Sequence, residues 1–210
     1  MTNNWDSIVS ELQAQIKLMH EAREKGLQHC RQIVHLASKT IRNVHRRQIA
    51  EARSLLQQTR MVADQARAFL KPHPELYFAG YLHDSEKEYV EAAAVFAIVV
   101  GEPLPTPGDL GAQPMSYLNG MGEAASELRR YVLDEMRAGN IAESERILGQ
   151  MEVIYDDLIT FDFPDTLTGG LRRTCDALRA VIERTRSDLT MTHSQQELIR
   201  ELRASRRVQE

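Results

Sequence analysis

Four glutamates in two pairs are the residues of this chain best suited to chemistry. Glu88 and Glu91 lie three apart in HDSEKEYVEAAAVFAIVV, and Glu123 and Glu127 lie four apart in GMGEAASELRR. Spacings of three and four put both members of a pair on one helix face. The first pair runs straight into the apolar block Ala92 to Val100, and helical steps continue its stripe through Val95 and Ile98. These carboxylates therefore point towards a core. A carboxylate buried without a partner is costly, so it is normally neutralised, ion-paired or bound to a metal. Two facing helices that each offer two carboxylates make an oxygen-rich site suited to Mg²⁺ or Mn²⁺. A second reading stays open: surface pairs answered by nearby bases, with Lys87 beside Glu88 and Arg129 and Arg130 after Glu127. Glu123, Glu127, Arg130 and Asp134 would then form an exposed stripe.

A row of cations is the other feature with chemical content. Arg31, His35, Lys39, Arg42 and Arg46 follow steps of four, four, three and four, and His45 and Arg47 flank them. No acidic residue occurs between Lys25 and Glu51, so the row is not neutralised locally. It reads either as a solvated helix face or as a track for a nucleic-acid backbone. Arg172 and Arg173, just after Gly169-Gly170, stand near the start of a helix, where cations oppose the helix dipole and call for an anionic partner. Asp156 and Asp157 close the preceding helix, and an ion pair with Arg172 or Arg173 is the favoured reading there; auxiliary metal ligation is the other. Arg172, Asp176, Arg179, Glu183 and Arg186 alternate in sign along one face, the pattern of a surface satisfied by its own i,i+3 and i,i+4 pairs.

Helices must position all of these groups. Trp5 to about Val44 is helical, and Leu27, Cys30, Val34, Ala37, Ile41 and Val44 alternate steps of three and four, a coiled-coil-like seam. A second helix spans about Gln48 to Leu70 and stops at the prolines of KPHPE. The third covers roughly Pro74 to Val100 and holds the first glutamate pair. GEPLPTPGDLGAQP follows as a long loop, of the kind that is often functional or mobile. The fourth helix, about Met115 to Ala138, holds the second pair and closes at Gly139-Asn140. The fifth spans about Ile141 to Leu158, and after FDFPD a long sixth helix starts near Thr166 or Leu167. No segment alternates with period two, so the fold class is all-α, a bundle of about six to seven long antiparallel helices. One domain is expected over residues 1–192, with 193–210 a polar tail or short extra helix.

Composition narrows the function classes. The 210 residues, 42% of them apolar, suffice for one well-cored domain. No apolar run approaches the roughly 18–20 residues that span a bilayer, and the polar start MTNNWDS does not read as a signal peptide. Two isolated cysteines, Cys30 and Cys175, make no CxxC knuckle and suit a reducing cytoplasm. A net charge of −4 means that any nucleic-acid contact comes from a local patch. The seven histidines form no HxxxH pair, and the phosphate-loop, serine-hydrolase and dinucleotide motifs are absent.

EKEYVEA, SYLNGMGEAASELRR, HCRQIVHLASKTIRNVHRR and FDFPDTLTGGLRR together resemble the translin family, in the same order and over most of the chain. The EYVEA segment is closer to translin-associated factor X and its archaeal relatives than to translin, which carries other residues in place of those glutamates. The resemblance implies an all-α translin-like fold assembled into closed, often octameric homo-oligomeric shells. It also implies a metal-dependent endoribonuclease acting on single-stranded RNA, with single-stranded DNA as a further ligand. The family's catalytic and metal-binding carboxylates map onto Glu88, Glu91, Glu123 and Glu127, with Mg²⁺ or Mn²⁺ as cofactor. Glu123 stands where the family usually has aspartate, so one arm of the site is a methylene longer. Arg31, His35, Lys39, Arg42 and Arg46 would guide the strand. The competing expectation is a translin-like protein that binds single strands without cutting them.

Overall fold

The fold is set by two central helices and the four long helices that cover them. The computed structural model describes residues 4–208, so the outermost residues of both expected segments, 1–3 and 209–210, lie outside the described residues. In chain order the helices are α1 (Trp5–His45), α2 (Ile49–Leu70), α3 (Pro74–Tyr77), α4 (Tyr81–Val100), α5 (Pro107–Leu110), α6 (Pro114–Ala138), α7 (Ile141–Leu158), α8 (Asp165–Thr168) and α9 (Leu171–Val208). Six are long, three are single turns, and there is no strand among the described residues. The molecule is an all-α bundle.

α4 and α6 pack side by side at the centre, α1 and α2 covering α4 and α7 and α9 covering α6. This explains the unbroken apolar run in α4: Leu82, Val90, Val95, Phe96 and Ile98 are all buried because neighbours enclose the helix. In α6, Ala124, Ala125, Leu128 and Val132 are buried. α1 differs from its expected seam. Cys30, Ala37 and Val44 are buried, but so are Ile33 and Leu36, while Leu27, Val34 and Ile41 are only partly covered. Both α2 and α4 cover α1, so its buried stripe is wider than a two-helix seam.

Three boundaries also differ from expectation. The third helix does not run from Pro74 to Val100: one turn, α3, ends before Phe78, and α4 begins after Gly80. The sixth does not begin at Thr166 or Leu167. It is the single turn α8, then Gly169 and Gly170 at φ +59° and +84°, then α9. Left-handed backbone is cheap only for glycine, so the Gly-Gly pair is what turns the chain between α8 and α9. α9 then runs past residue 192 to Val208 in place of a tail or separate short helix. The proline-rich loop is also pinned: Thr106 and Asp109 form a capping box on α5, Arg67 donates to the Leu110 carbonyl at 3.0 Å, and the Tyr117 hydroxyl donates to Pro105 at 2.9 Å.

Candidate metal centre and nucleic-acid interface

The close approach of α4 and α6 builds the site, and a glycine makes it possible. A Cβ added at Gly120 would lie 2.7 Å from the Lys87 carbonyl oxygen and 2.7 Å from the Val90 Cβ, so only glycine lets the two backbones sit this near. One turn further along α6, Glu123 comes to face α4. Glu88, Glu91 and Glu123, all half-buried, each offer a carboxylate oxygen, and these oxygens lie within 4.8 Å of one another. Oxygen ligands at 2.0–2.6 Å from a common cation can be at most about 5.2 Å apart, so the separations fit a single ion.

Glu127 is not part of that trio. Its Oε1 lies 2.7 Å from Nε2 of His45, whose ring is almost wholly buried. Lys87 donates to Glu123 Oε1 at 2.7 Å, although it stands next to Glu88 in sequence. Glu88 and Glu91 make no hydrogen bond or ion pair among the described residues. Burial pushes the Glu88 carboxyl above the usual range, reinforced by Glu123. Glu91 is pushed up to about 8, first by burial and then by the charges of Glu88, Glu123 and Glu127. Burial alone would lower Lys87, but its hydrogen bond to Glu123 and the surrounding carboxylates raise it. Three hard oxygen donors that repel one another, with Lys87 as the one cation bonded to any of them among the described residues, are a donor set that suits a hard divalent ion. The residues present fit such an ion.

The alternative of surface pairs with nearby bases holds only for Lys87, which answers Glu123 and not its neighbour Glu88. Arg129 donates to Thr185 and Asp188 on α9 rather than to Glu127, and Arg130 is exposed. Sequence reasoning placed His45 beside the basic row and Lys87 beside Glu88, and it missed what each holds. His45 differs from its basic neighbours only in side chain, and its inward turn follows from the packing of α1 on the central helices. Arg47, which stays half exposed, reaches the buried Glu135 and the Tyr131 ring.

Arg31, His35, Lys39, Arg42 and Arg46 are exposed on one side of α1. Lys39, Arg42 and Arg46 line a groove of about 600 Å³ shared with Gln48, Glu51 and Gln58 at the start of α2. None of the row's four Lys and Arg side chains forms an ion pair among the described residues. Arg172 and Arg173 form no ion pair with Asp156 or Asp157 either, so the favoured pairing there does not hold. The two arginines face different cavities. Arg172 lies with Tyr155 and Asp176, whereas Arg173 lies with Lys87 and Glu123. Asp156 is exposed and lies apart from the carboxylate trio. On α9, Arg186 reaches across to Glu152 of α7 at 2.6 Å rather than pairing within its own helix.

The structure of AfC3PO in complex with duplex RNA superimposes on this chain with a TM-score of 0.83 and 34% identity, over 89% of this chain and 96% of that one. The chain belongs to the translin family. A crystal structure of AfC3PO matches this translin-family chain at TM-score 0.82 and 33% identity, covering 89% and 97% of the two chains. Apo-NeC3PO matches at 0.78 over 91% and 98%, and at 23% identity that likeness speaks to the fold. An uncharacterized protein of Methanocaldococcus jannaschii is 34% identical over 113 residues, 53% of this chain and 50% of that protein, so the match spans half the relative's length. No family model matches the chain. No helix among the described residues is long and apolar enough to cross a membrane.

Proposed function

We propose that this chain is a divalent-metal-dependent endoribonuclease of the translin-associated factor X type, which binds and cleaves single-stranded RNA within a homo-oligomeric shell. The observation that carries the reading is the meeting of Glu88, Glu91 and Glu123 in one half-buried cluster with two of the three unpaired. The relative that holds duplex RNA supports RNA as the polymer class, and the unpaired cations on α1 suit its backbone. Glu88, Glu91 and Glu123 would hold Mg²⁺ or Mn²⁺, which would lower the pKa of the attacking water and stabilise charge at the scissile phosphate. Burial and the neighbouring carboxylates push Glu91 up to about 8, so a cation held there would have to displace its proton. Glu127, hydrogen-bonded to His45 and outside the trio, is the carboxylate left to accept a proton as general base. The arginine and lysine row orients the strand without reading bases. Free, buried Cys30 and Cys175 suit a reducing, cytoplasmic setting.

Replacing Glu88 and Glu91 together by glutamine tests the proposal. Glutamine keeps the size of each side chain but removes the charge that a hard cation requires. Cleavage of single-stranded RNA should vanish, binding should persist, and the metal-free protein should melt at the same temperature or higher because mutual repulsion is relieved. Full activity in the double variant, or cleavage by the wild type in chelator, would overturn the metal-nuclease reading. A wild type that binds RNA yet cuts under neither Mg²⁺ nor Mn²⁺ is the non-catalytic translin-like binder of single-stranded RNA or DNA.

A further inference from the structure

A cavity of about 420 Å³ opens between α4, α6 and the corner where α8 meets α9, and it shares Lys87 and Glu123 with the carboxylate cluster. Its far wall is the start of α9. Gly169 and Gly170 turn the chain there, and the Gly170 amide, which lines the cavity, donates no hydrogen bond among the described residues. A free amide at the positive end of a long helix favours an anion. Arg173, in the first turn of α9, lines the cavity and has no ion-pair partner among the described residues, although a cation there opposes the helix dipole. A second, independent observation lies on α6. Ser116 also lines the cavity, is only 3% exposed, and its Oγ has no hydrogen-bond partner among the described residues. Such a hydroxyl is costly unless something accepts from it.

The remaining walls show where an anion would sit. Asn119 is fully used: its Nδ2 donates to Met115 and Thr168 carbonyls and its Oδ1 accepts from Thr174, which fixes the α8–α9 corner against α6. Asp84 lines the cavity from α4 and Glu123 from α6, where Lys87 answers it. Negative charge is thus repelled from the α4 side near Asp84 and attracted to the Gly170–Arg173 end. We infer that this cavity is a phosphate subsite, in which Arg173, the Gly170 amide and Ser116 grip the RNA backbone phosphate next to the one cut at the carboxylate cluster. The inference rests on the RNA-cleaving reading of that cluster. It gives the strand a fixed register on the site, which the exposed row on α1 does not.

The experiment uses the full chain in chelator, so that nothing is cut, and reads the affinity of a labelled single-stranded 12-mer RNA against salt. Arg173→Ala should weaken binding by about tenfold, the scale of one hydrogen bond between charged groups, and should lower the slope of log affinity against log salt by about one. Arg172→Ala, which alters the neighbouring cavity, should leave both within about twofold. Ser116→Ala should weaken binding with an unchanged slope, because the hydroxyl is neutral. It should also leave thermal stability equal or raised, because an unpartnered hydroxyl is removed; a structural serine would lower it. Inorganic phosphate at millimolar concentration should compete with the RNA for the wild type and not for Arg173→Ala; equal competition for both would overturn the subsite. If wild-type protein binds RNA but Arg173→Ala changes nothing, or Arg172→Ala matches it, the subsite is overturned and the nuclease reading stands. If the wild type binds no RNA, both fall.

Discussion

Glu91 is the residue whose surroundings depart furthest from its chemistry. In the unfolded chain it titrates near the ordinary glutamate value of 4.5, and in the fold at about 8. Between those two values the folded state holds a proton that the unfolded state has lost, so stability falls as pH rises through this window. The metal-free protein should therefore have a lower melting temperature at pH 8 than at pH 5, and Glu91→Gln should flatten that dependence. Divalent cation should restore stability most at the high end, with proton release visible by calorimetry in buffers of different ionisation enthalpy. A melting profile that rises from pH 5 to 8 in chelator and is unchanged by Glu91→Gln would contradict the electrostatics of the cluster. Lys87 and His45 act at the same scale, each holding one α6 carboxylate at 2.7 Å. Outer partners of this kind fix ligand orientation.

At the scale of elements, the α4–α6 contact is what brings the carboxylates together. Gly120→Ala would place a methyl 2.7 Å from the Lys87 carbonyl oxygen, and backbone cannot swing aside as a long side chain can. The helices must separate, at a cost of about 1–3 kcal/mol, so the melting temperature should drop by roughly 2–10 °C. Affinity for Mn²⁺ should fall with it, measured by titration calorimetry. Alanine at partly buried Gly149, where an added Cβ meets nothing within 4 Å, is the control and should be neutral or stabilising. The outward face of α1 has a separate test. Charge reversal at Arg31, Lys39 and Arg42 should lower affinity for single strands by roughly tenfold or more at low salt, with circular dichroism unchanged. Unaltered affinity would leave that row a solvated face.

At the scale of the whole molecule, two helix ends project apolar side chains that this single chain does not cover. Ile8, Leu12, Ile16 and Met19 in α1 are 39%, 47%, 63% and 40% exposed, at steps of four, four and three. Leu198, Ile199 and Leu202 near the end of α9 are equally open. Helical stripes of this kind need a partner surface, in keeping with the proposed shell. Light scattering at micromolar concentration should give more than two subunits, and Leu12→Asp with Ile16→Asp should reduce that number while the helix content stays the same. A wild-type monomer would remove the shell from the proposal.

The sequence by itself determined the helices and the chemistry they carry. Periodicity, prolines and the absence of period-two alternation are local properties, so the long helices, the turns at 46–48 and 139–140 and the pairing of Glu88 with Glu91 were legible without a structure. The breaks at Gly80 and Gly169-Gly170 were less so, because glycine permits a left-handed turn without requiring one. Partner choice was beyond local reading. Lys87 adjoins Glu88 yet bonds Glu123, Glu127 is answered by His45 eighty-two residues away, and Arg129 leaves its own helix for Asp188. Which carboxylate is left unpaired depends on how close α4 and α6 come and on how α1 and α9 are rotated against them. Those are outcomes of tertiary packing, where burial and shape across the whole bundle decide which of several nearby cations each acid meets.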